Sequence, residues 1–488
     1  MSISNALNNA ASGLGATSRL ADTISNNVAN AMTPGFGRRV TELSSLALGG
    51  HGSGVVVAGT QRSEHAFLTA ERRGMDAALG ASTVRSDAYA RMLAAFGEPG
   101  EAGALSTLAT RLETTLMSAT ASPQSMAKLT DAAVAAGDVV SAVGRIAAEN
   151  ARLRTEADAE IGRQVDFVND ALHAIDRINK KIATLGTQGT DTNALRDERD
   201  RLIDAVASMV PVRTVNREHG QVAIYTANGG LLLDGRVFEL GFQKAPSVVT
   251  PEMSLGAGLH GLTQDQGAAG GPVPIAVGAG AGLMDGGSLA ALFELRDRLV
   301  PEFDAEMDAY AADLIERFRD LMPPAALDGA GEGLFVDASP GALTGLAGRL
   351  SLNAAVDPAQ GGAAWRLRDG LGAAAPGPEG FGAFLQGLAD AMVAPRAPTG
   401  FASQNANAGS ATMAAEIASF FAGRAVRSDE DRAYLMARQA VLSESEAHAT
   451  GVDTDRELQS LILVEQAYAA NARVLSVIDS LMKLLLEA

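Results

Sequence analysis

The chain has 488 residues, with 53 glycines, 4% aromatic residues, no cysteine and a formal charge of -18. That length accommodates two to four domains with real cores, and abundant glycine with few aromatics suits long helices and plain loops better than an enclosed ligand pocket. The acidic balance argues against a nucleic-acid footprint, and the lack of cysteine removes disulfides, cysteine-ligated zinc and thiol catalysis.

From the amino end, Ile3, Leu7, Ala10, Leu14, Thr17, Ala21, Ile24 and Val28 recur at alternating steps of four and three. This is a heptad stripe with one polar member, Thr17, and it needs a partner helix. It lacks the basic n-region and unbroken apolar core of a cleaved secretory signal. The stripe runs into Thr33-Pro34-Gly35-Phe36. Pro34 presets the second position of a turn and Gly35 supplies positive φ at the third, so the helix is expected to end near Met32. Asn26, Asn27 and Asn30 suit capping of that helix end. Val40 to Arg62 reads as extended, with a strand over Gly54–Thr60.

From about Glu64 the pattern is helical for over a hundred residues, broken at Gly97–Gly100 and at Ser122-Pro123. Ser122 as N-cap with Pro123 at the first helical position starts a helix reaching about Leu185. At ~1.5 Å per residue it would span roughly 90 Å and imply an elongated, rod-like domain. A charge-laced helix from Asn193 ends before Pro211. Four short alternating segments follow (212–215, 222–226, 231–233 and 237–240), separated in part by Asn228-Gly229 and Asp234-Gly235. These predict an antiparallel meander. Residues 243–287 are glycine-rich and irregular, 288–322 helical, and 323–380 a short insertion. Helices resume from Phe381 through 410–422 and 429–450. The last helix carries a second heptad stripe, Leu461, Val464, Tyr468, Asn471, Leu475, Ile478, Met482 and Leu485, in which a buried Asn471 would set register.

The simplest partner for each terminal stripe is the other one. The fold expected is therefore mainly α with a smaller β part: terminal helices paired as a coiled-coil-like domain, a long-helix rod domain, a small antiparallel meander and a short variable insertion. No stretch approaches ~20 consecutive apolar residues, so no membrane insertion is expected.

Catalytic signals are weak. Gly256-Ala257-Gly258-Leu259-His260-Gly261 matches the dinucleotide fingerprint in letters, but no helix pattern follows. The six histidines form no metal-ligand pair, and His448 near Ser443 and Ser445 lacks a nucleophile elbow. Asp429-Glu430-Asp431 reads as a helix start. No enzyme, cofactor or metal is expected.

Ser25-Asn26-Asn27-Val28-Ala29-Asn30 with Thr33-Pro34-Gly35-Phe36, and near the other end Gly451-Val452-Asp453 with Glu465–Val474, resemble the terminal signatures of the bacterial flagellar rod, hook and hook-associated proteins. The helix followed by a meander resembles the hook–filament junction branch of that family. The resemblance implies a structural subunit in a homo-oligomeric helical or ring layer joining hook to filament. Its implied partners are the hook protein, other hook-associated proteins and a cytoplasmic export chaperone. Its implied location is the extracellular flagellum, reached through a dedicated export channel without a cleaved signal. Other members carry a sizeable β domain where this chain has only 323–380.

The implied organisation is 1–62 as the first half of a terminal assembly domain, 63–210 a long-helix domain and 211–287 the meander with glycine-rich loops. Residues 288–322 form a returning helix, 323–380 the outer insertion, 381–450 the last helices of the helical domain and 451–488 the carboxy-terminal assembly helix. Assembly would fall to Ile3, Leu7, Leu14, Ile24, Asn27, Val28, Asn30, Pro34, Gly35, Leu461, Val464, Tyr468, Asn471, Leu475, Ile478, Met482 and Leu485. Two alternatives are a hook or distal rod subunit, and a cytoplasmic helical scaffold with intramolecular coiled-coil ends.

Overall fold

The first heptad stripe folds into one helix, α1 (Ile3–Ala29), in a computed structural model that describes residues 3–48, 51–267, 271–278, 280, 282–396, 400–402 and 407–487; the side chains of Leu48, His51, Leu485 and Glu487 lie outside the description. After the Pro34-Gly35 turn come β1 (Arg39–Leu48) and β2 (His51–Arg62), which pair antiparallel from Arg39↔Arg62 to Leu48↔His51. The expected extended stretch is thus a full hairpin. The helices α2 (Ala66–Phe96), α3 (Leu105–Thr120) and α4 (Met126–Thr187) follow.

The start of α4 corrects the sequence reading. Ser122 to Ser125 form a turn, closed by the Ser125 N–H on the Ser122 carbonyl at 3.0 Å, and the first helical bond is accepted by Ser125. Pro123 fits the second place of a turn as readily as the first place of a helix. The 62 residues of α4 form one helix whose apolar row, Val139, Val143, Ile146, Leu153, Ile161, Val165, Leu172, Ile175 and Ile182, is buried throughout.

After α5 (Asn193–Ala207), β3 (Val212–Asn216), β4 (Val222–Thr226) and β5 (Leu231–Leu233) form a three-stranded antiparallel sheet. Gly229 (φ 89) and Gly235 (φ 69) supply the left-handed turn positions. The expected fourth strand does not join. Val237 makes a single bridge to Leu233, and β6 (Leu240–Gly241) pairs elsewhere. The stretch expected to be irregular contains β7 (Ser254–Leu255), β8 (Gly258–Leu259), β9 (Leu262–Asp265) and β10 (Pro272–Ile275), with β9 central in a β10-β9-β6 sheet.

The helix from Ser288 is α6 (Ser288–Glu294), a π turn over Leu295–Leu299, and α7 (Val300–Asp320). Pro301 has no N–H to give Asp297, and the chain widens into the π turn just before it. The insertion holds β11 (Phe335–Asp337), α8 (Leu346–Arg349), β12 (Leu350–Leu352) and α9 (Arg366–Asp369), around buried Leu334, Phe335, Val356 and Leu367. Then come α10 (Ala383–Val393), α11 (Ser410–Thr450) and α12 (Thr454–Glu487). Where two helices were expected over 410–450 there is one. Asp429, read as a helix start, instead accepts from Ser86 Oγ at 3.2 Å and Arg432 Nη2 at 2.6 Å.

The chain divides into two compact units whose boundaries fall largely inside helices. One comprises the residues up to Leu79, Val168–Glu239 and those from Leu435 onward. The other comprises Gly80–Phe167 and Leu240–Tyr434.

The second unit has an aromatic spine, with Phe303 edge-on to Phe96 (6.2 Å) and to Phe421 (4.4 Å). Its buried charges are tied to main chain. Arg154 donates to the carbonyls of Arg296, Thr250 and Met253 at 2.8–2.9 Å. Arg317 pairs with Asp313 at 2.8 Å and donates to the carbonyls of Ala391, Ala394 and Ala408. Asp304 accepts from Asn150 Nδ2 at 2.6 Å, and burial pushes its carboxyl up to about 7.

Candidate assembly site at the paired termini

The amino-terminal signature builds a polar node in the first unit. Asn27 is fully buried at the last turns of α1. Its Nδ2 donates to the Arg39 carbonyl at 2.9 Å and to Glu457 Oε2 at 3.1 Å, and its Oδ1 accepts the Arg39 N–H at 2.9 Å. Glu457, 1% exposed, takes Arg38 Nε on its other oxygen at 2.6 Å. One asparagine therefore joins α1, the first residue of β1 and the first turn of α12. Asp453 caps that turn, accepting the Asp455 and Arg456 N–H groups at 3.1 Å.

Farther along, α12 lies so close to α1 that a Cβ on Gly13 would stand 2.8 Å from Asn471 Nδ2. Asn27 and Gly13 are near Glu457 and Asn471 respectively, so the two helices run antiparallel. β2 covers another side of α1. Val55 N–H donates to Ser12 Oγ at 3.2 Å, and Gly54 (φ 109) has Ser12 Oγ where a Cβ would go.

The residues singled out by sequence occupy this site unevenly. Ile24, Asn27 and Ile478 are buried; Ile3, Leu14, Val28, Asn30, Leu461, Val464, Asn471 and Leu475 are half-buried. Leu7, Tyr468 and Met482 are 40–49% exposed, and the Leu485 side chain lies outside the described residues. The polar member Thr17 is satisfied within its own helix, donating to the Gly13 and Leu14 carbonyls at 3.0 Å. Asn30 caps the helix end through the Asn26 carbonyl at 2.9 Å. Pro34 and Gly35 are exposed in a turn closed by Phe36 N–H on the Thr33 carbonyl at 3.2 Å. There a Cβ on Gly35 (φ 77) would meet Arg201 at 2.5 Å.

Two features escaped the sequence reading. Leu463, Ala467, Ala470, Val474, Val477, Leu481 and Leu484 form a second heptad row on α12, one position behind the first, and all are exposed, Leu463 by 66% and Leu484 by 63%. The signal was available as the same four-three alternation in an offset frame. By length and composition the carboxy-terminal helical segment is also apolar enough to cross a membrane, which the lack of an unbroken apolar run did not predict. The heptad rows account for the same composition without a bilayer.

The second feature is on α5, where Asp197, Asp200 and Asp204 share one face. Arg39 pairs with Asp197, Arg62 with Asp200 at 2.5 Å, and Arg73 with Asp204 at 2.6 Å. Arg72 joins Asp204 at 2.9 Å and also engages Glu446. Both ends of the hairpin and the start of α2 are thereby keyed to one helix. The "charge-laced" pattern was legible, but its partners, 120–160 residues away, were not.

His173 Nε2 lies 2.8 Å from Glu239 on the surface, and among the described residues no group of three His, Asp or Glu is placed to hold a metal.

Comparison with known proteins gives matches at both ends and in the middle of the chain. A family profile described as the flagellar hook-associated protein FlgK helical domain matches residues 90–322. Profiles for the flagellar basal body rod FlgEFG protein C-terminal and the flagella basal body rod protein match residues 448–488 and 7–36. Flagellar hook-associated protein 1 of Salmonella typhimurium is 29% identical over 245 residues, covering 48% of this chain and 43% of that protein. Its Bacillus subtilis counterpart is 27% identical over 252 residues, covering 45% and 48%. The matches thus span less than half the length of these relatives. The solved flagellar hook junction protein FlgK from Burkholderia pseudomallei aligns over 56% of this chain and 47% of its own, at 18% identity and a TM-score of 0.46. With rod-type profiles at both ends and the hook-associated helical profile between them, the chain is similar over these segments to the bacterial flagellar rod, hook and hook-associated proteins.

Proposed function

We propose that this chain is a structural subunit of the flagellum that forms the layer joining hook to filament. The observation that carries the reading is the terminal pair itself. α1 covers one row of α12 and leaves the adjacent row, Leu463 to Leu484, facing solvent. Packing that row against neighbouring copies would contribute roughly 1.5–3 kcal/mol per fully buried leucine-sized side chain, offset by the entropy of ordering the helices. Identical subunits meeting head to tail then propagate a helical layer or ring.

The match over residues 90–322 favours this reading over a hook or distal rod subunit, because the end profiles carry rod-protein descriptions and the long middle one does not. The partners are then the hook protein, other hook-associated proteins and, before export, a cytoplasmic chaperone holding the Leu461–Leu485 stripe. Ile478 is buried in the pair, so the chaperone would take α12 before it docks. Chaperone binding that survives Leu475→Asp and Ile478→Asp would remove that part of the proposal. The protein would act outside the cell, exported without a cleaved signal and without catalysis.

The test is electron microscopy of cells lacking the gene, with an assay for flagellin in the medium. Hooks without filaments and flagellin lost to the medium are expected. Missing hooks would move the subunit down to the hook or rod, and intact flagella in a strain with no second copy would overturn the reading.

A further inference from the structure

An apolar stripe that repeats every seven residues does not choose its own register, because a slide by one heptad meshes the same kinds of side chain again. Two close approaches lie along the α1–α12 seam: Asn27 donates to Glu457, and the Asn471 amide packs into the space that a Cβ on Gly13 would fill. They are 14 positions apart on each helix (27 − 13 and 471 − 457). In the register they define, Ala10 falls within one residue of Leu475, Leu14 of Asn471, Ile24 of Leu461 and Val28 of Glu457 on the covered row. The row on α12 thus continues one step above Leu461 to Glu457, and its two polar members stand two heptads apart.

We infer that Glu457 and Asn471 are the register-setting residues of the terminal pair, with Asn27 and Gly13 as their receiving sites. The physical reason is asymmetry of cost. A slide of one heptad that brings Tyr468 to the place of Leu475 beside Ala10 carries the Glu457 carboxylate to Leu20, where neither Asn27 nor Arg38 can reach it, and a buried carboxylate without partners is strongly disfavoured. A slide the other way brings Met482 to that place. It carries Glu457 past the end of α1 and sets the buried amide of Asn27 against Val464. Asn471 meanwhile leaves the one site on α1 whose missing Cβ gives its amide room. The native register alone satisfies both contacts. This deepens the assembly reading, since register decides which part of the outer row each subunit presents.

The chain has no cysteine, so introduced pairs report register without background. In the full-length chain, dilute enough that crosslinks are intramolecular, Ala10→Cys with Leu475→Cys reports the native pairing. Ala10→Cys with Met482→Cys or with Tyr468→Cys reports the two slides. With all other residues native, only the 10–475 pair is expected to oxidise. In the background Glu457→Leu plus Asn471→Leu, whose stripe is uniformly apolar, α12 stays helical and paired while a slid pair rises to a yield comparable with the native one. Exclusive 10–475 crosslinking in that background would overturn the inference. Should the background give no crosslink at any pair, Gly13→Leu in an otherwise native chain decides: it closes the seat of Asn471, and a persisting exclusive 10–475 crosslink again overturns it. Because the readout is the isolated chain, it stands or falls separately from whether hooks carry filaments.

Discussion

Asp304→Asn should make the second unit more stable at pH 8 than the native chain while leaving it nearly unchanged at pH 4. The Asp304 carboxyl is raised from 3.8 to about 7, first by burial, with Asp308 and Glu252 adding to the rise and Asn150 and Arg154 opposing it. A carboxyl held protonated by the fold contributes stability that is full below pH 3.8, falls as pH rises and is gone above about 7. Each pH unit inside that window is worth about 1.36 kcal/mol, so the native unit should lose about 2–3 kcal/mol between pH 5 and pH 7 through this group. The substituted amide carries no charge at any of these pH values and removes that slope. It also has a natural fit, since Asn150 Oδ1 is buried without a hydrogen-bond donor and the new NH2 can supply one. Trp365 is the chain's single tryptophan and lies in the same unit, so urea unfolding followed by its fluorescence reads the effect directly. A difference between variant and native chain that is the same at pH 5 and pH 8 would refute the reasoning.

Asn27→Ala strips the partner from the Arg39 main chain and from one oxygen of buried Glu457; a loss of about 2–4 kcal/mol is expected, read as faster hydrogen exchange throughout α12, and unchanged protection would count against the node. Gly54→Ala places a Cβ at φ 109 and 2.1 Å from Ser12 Oγ, costing about 1–3 kcal/mol in a thermal melt. Combining it with Ser12→Ala should recover only part of the loss, because the backbone conformation is disfavoured in its own right. Arg317→Met takes from buried Asp313 its hydrogen-bonded partner and leaves only Arg396, 3.3 Å from its other oxygen, and should lower the urea midpoint of Trp365 fluorescence, by about 2–4 kcal/mol of stability. Adding Asp313→Leu should return most of it; no recovery would mean that the main-chain bonds of Arg317, rather than the ion pair, carry the stability.

What the sequence determined by itself was whatever depends on local periodicity or on a single residue's backbone preference. The two heptad stripes, the apolar row of α4, the Pro34-Gly35 turn and the Asn228-Gly229 hairpin are short-range signals, and each appears in the fold where those residues lie. Local signals misled where one residue type serves two geometries. Pro123 suits a turn or a helix start, and Asp429 a cap or a mid-helix partner for Ser86. Tertiary structure alone decided which side of α12 faces α1, since two apolar rows one position apart are equivalent by composition. The row that faces α1 is the one carrying Glu457 and Asn471, which meet Asn27 and Gly13 from more than 400 residues away in the chain. The pairing of Arg39, Arg62 and Arg73 with one face of α5 was likewise invisible in the chain order, because a charge names the sign of its partner and the fold alone brings that partner within reach.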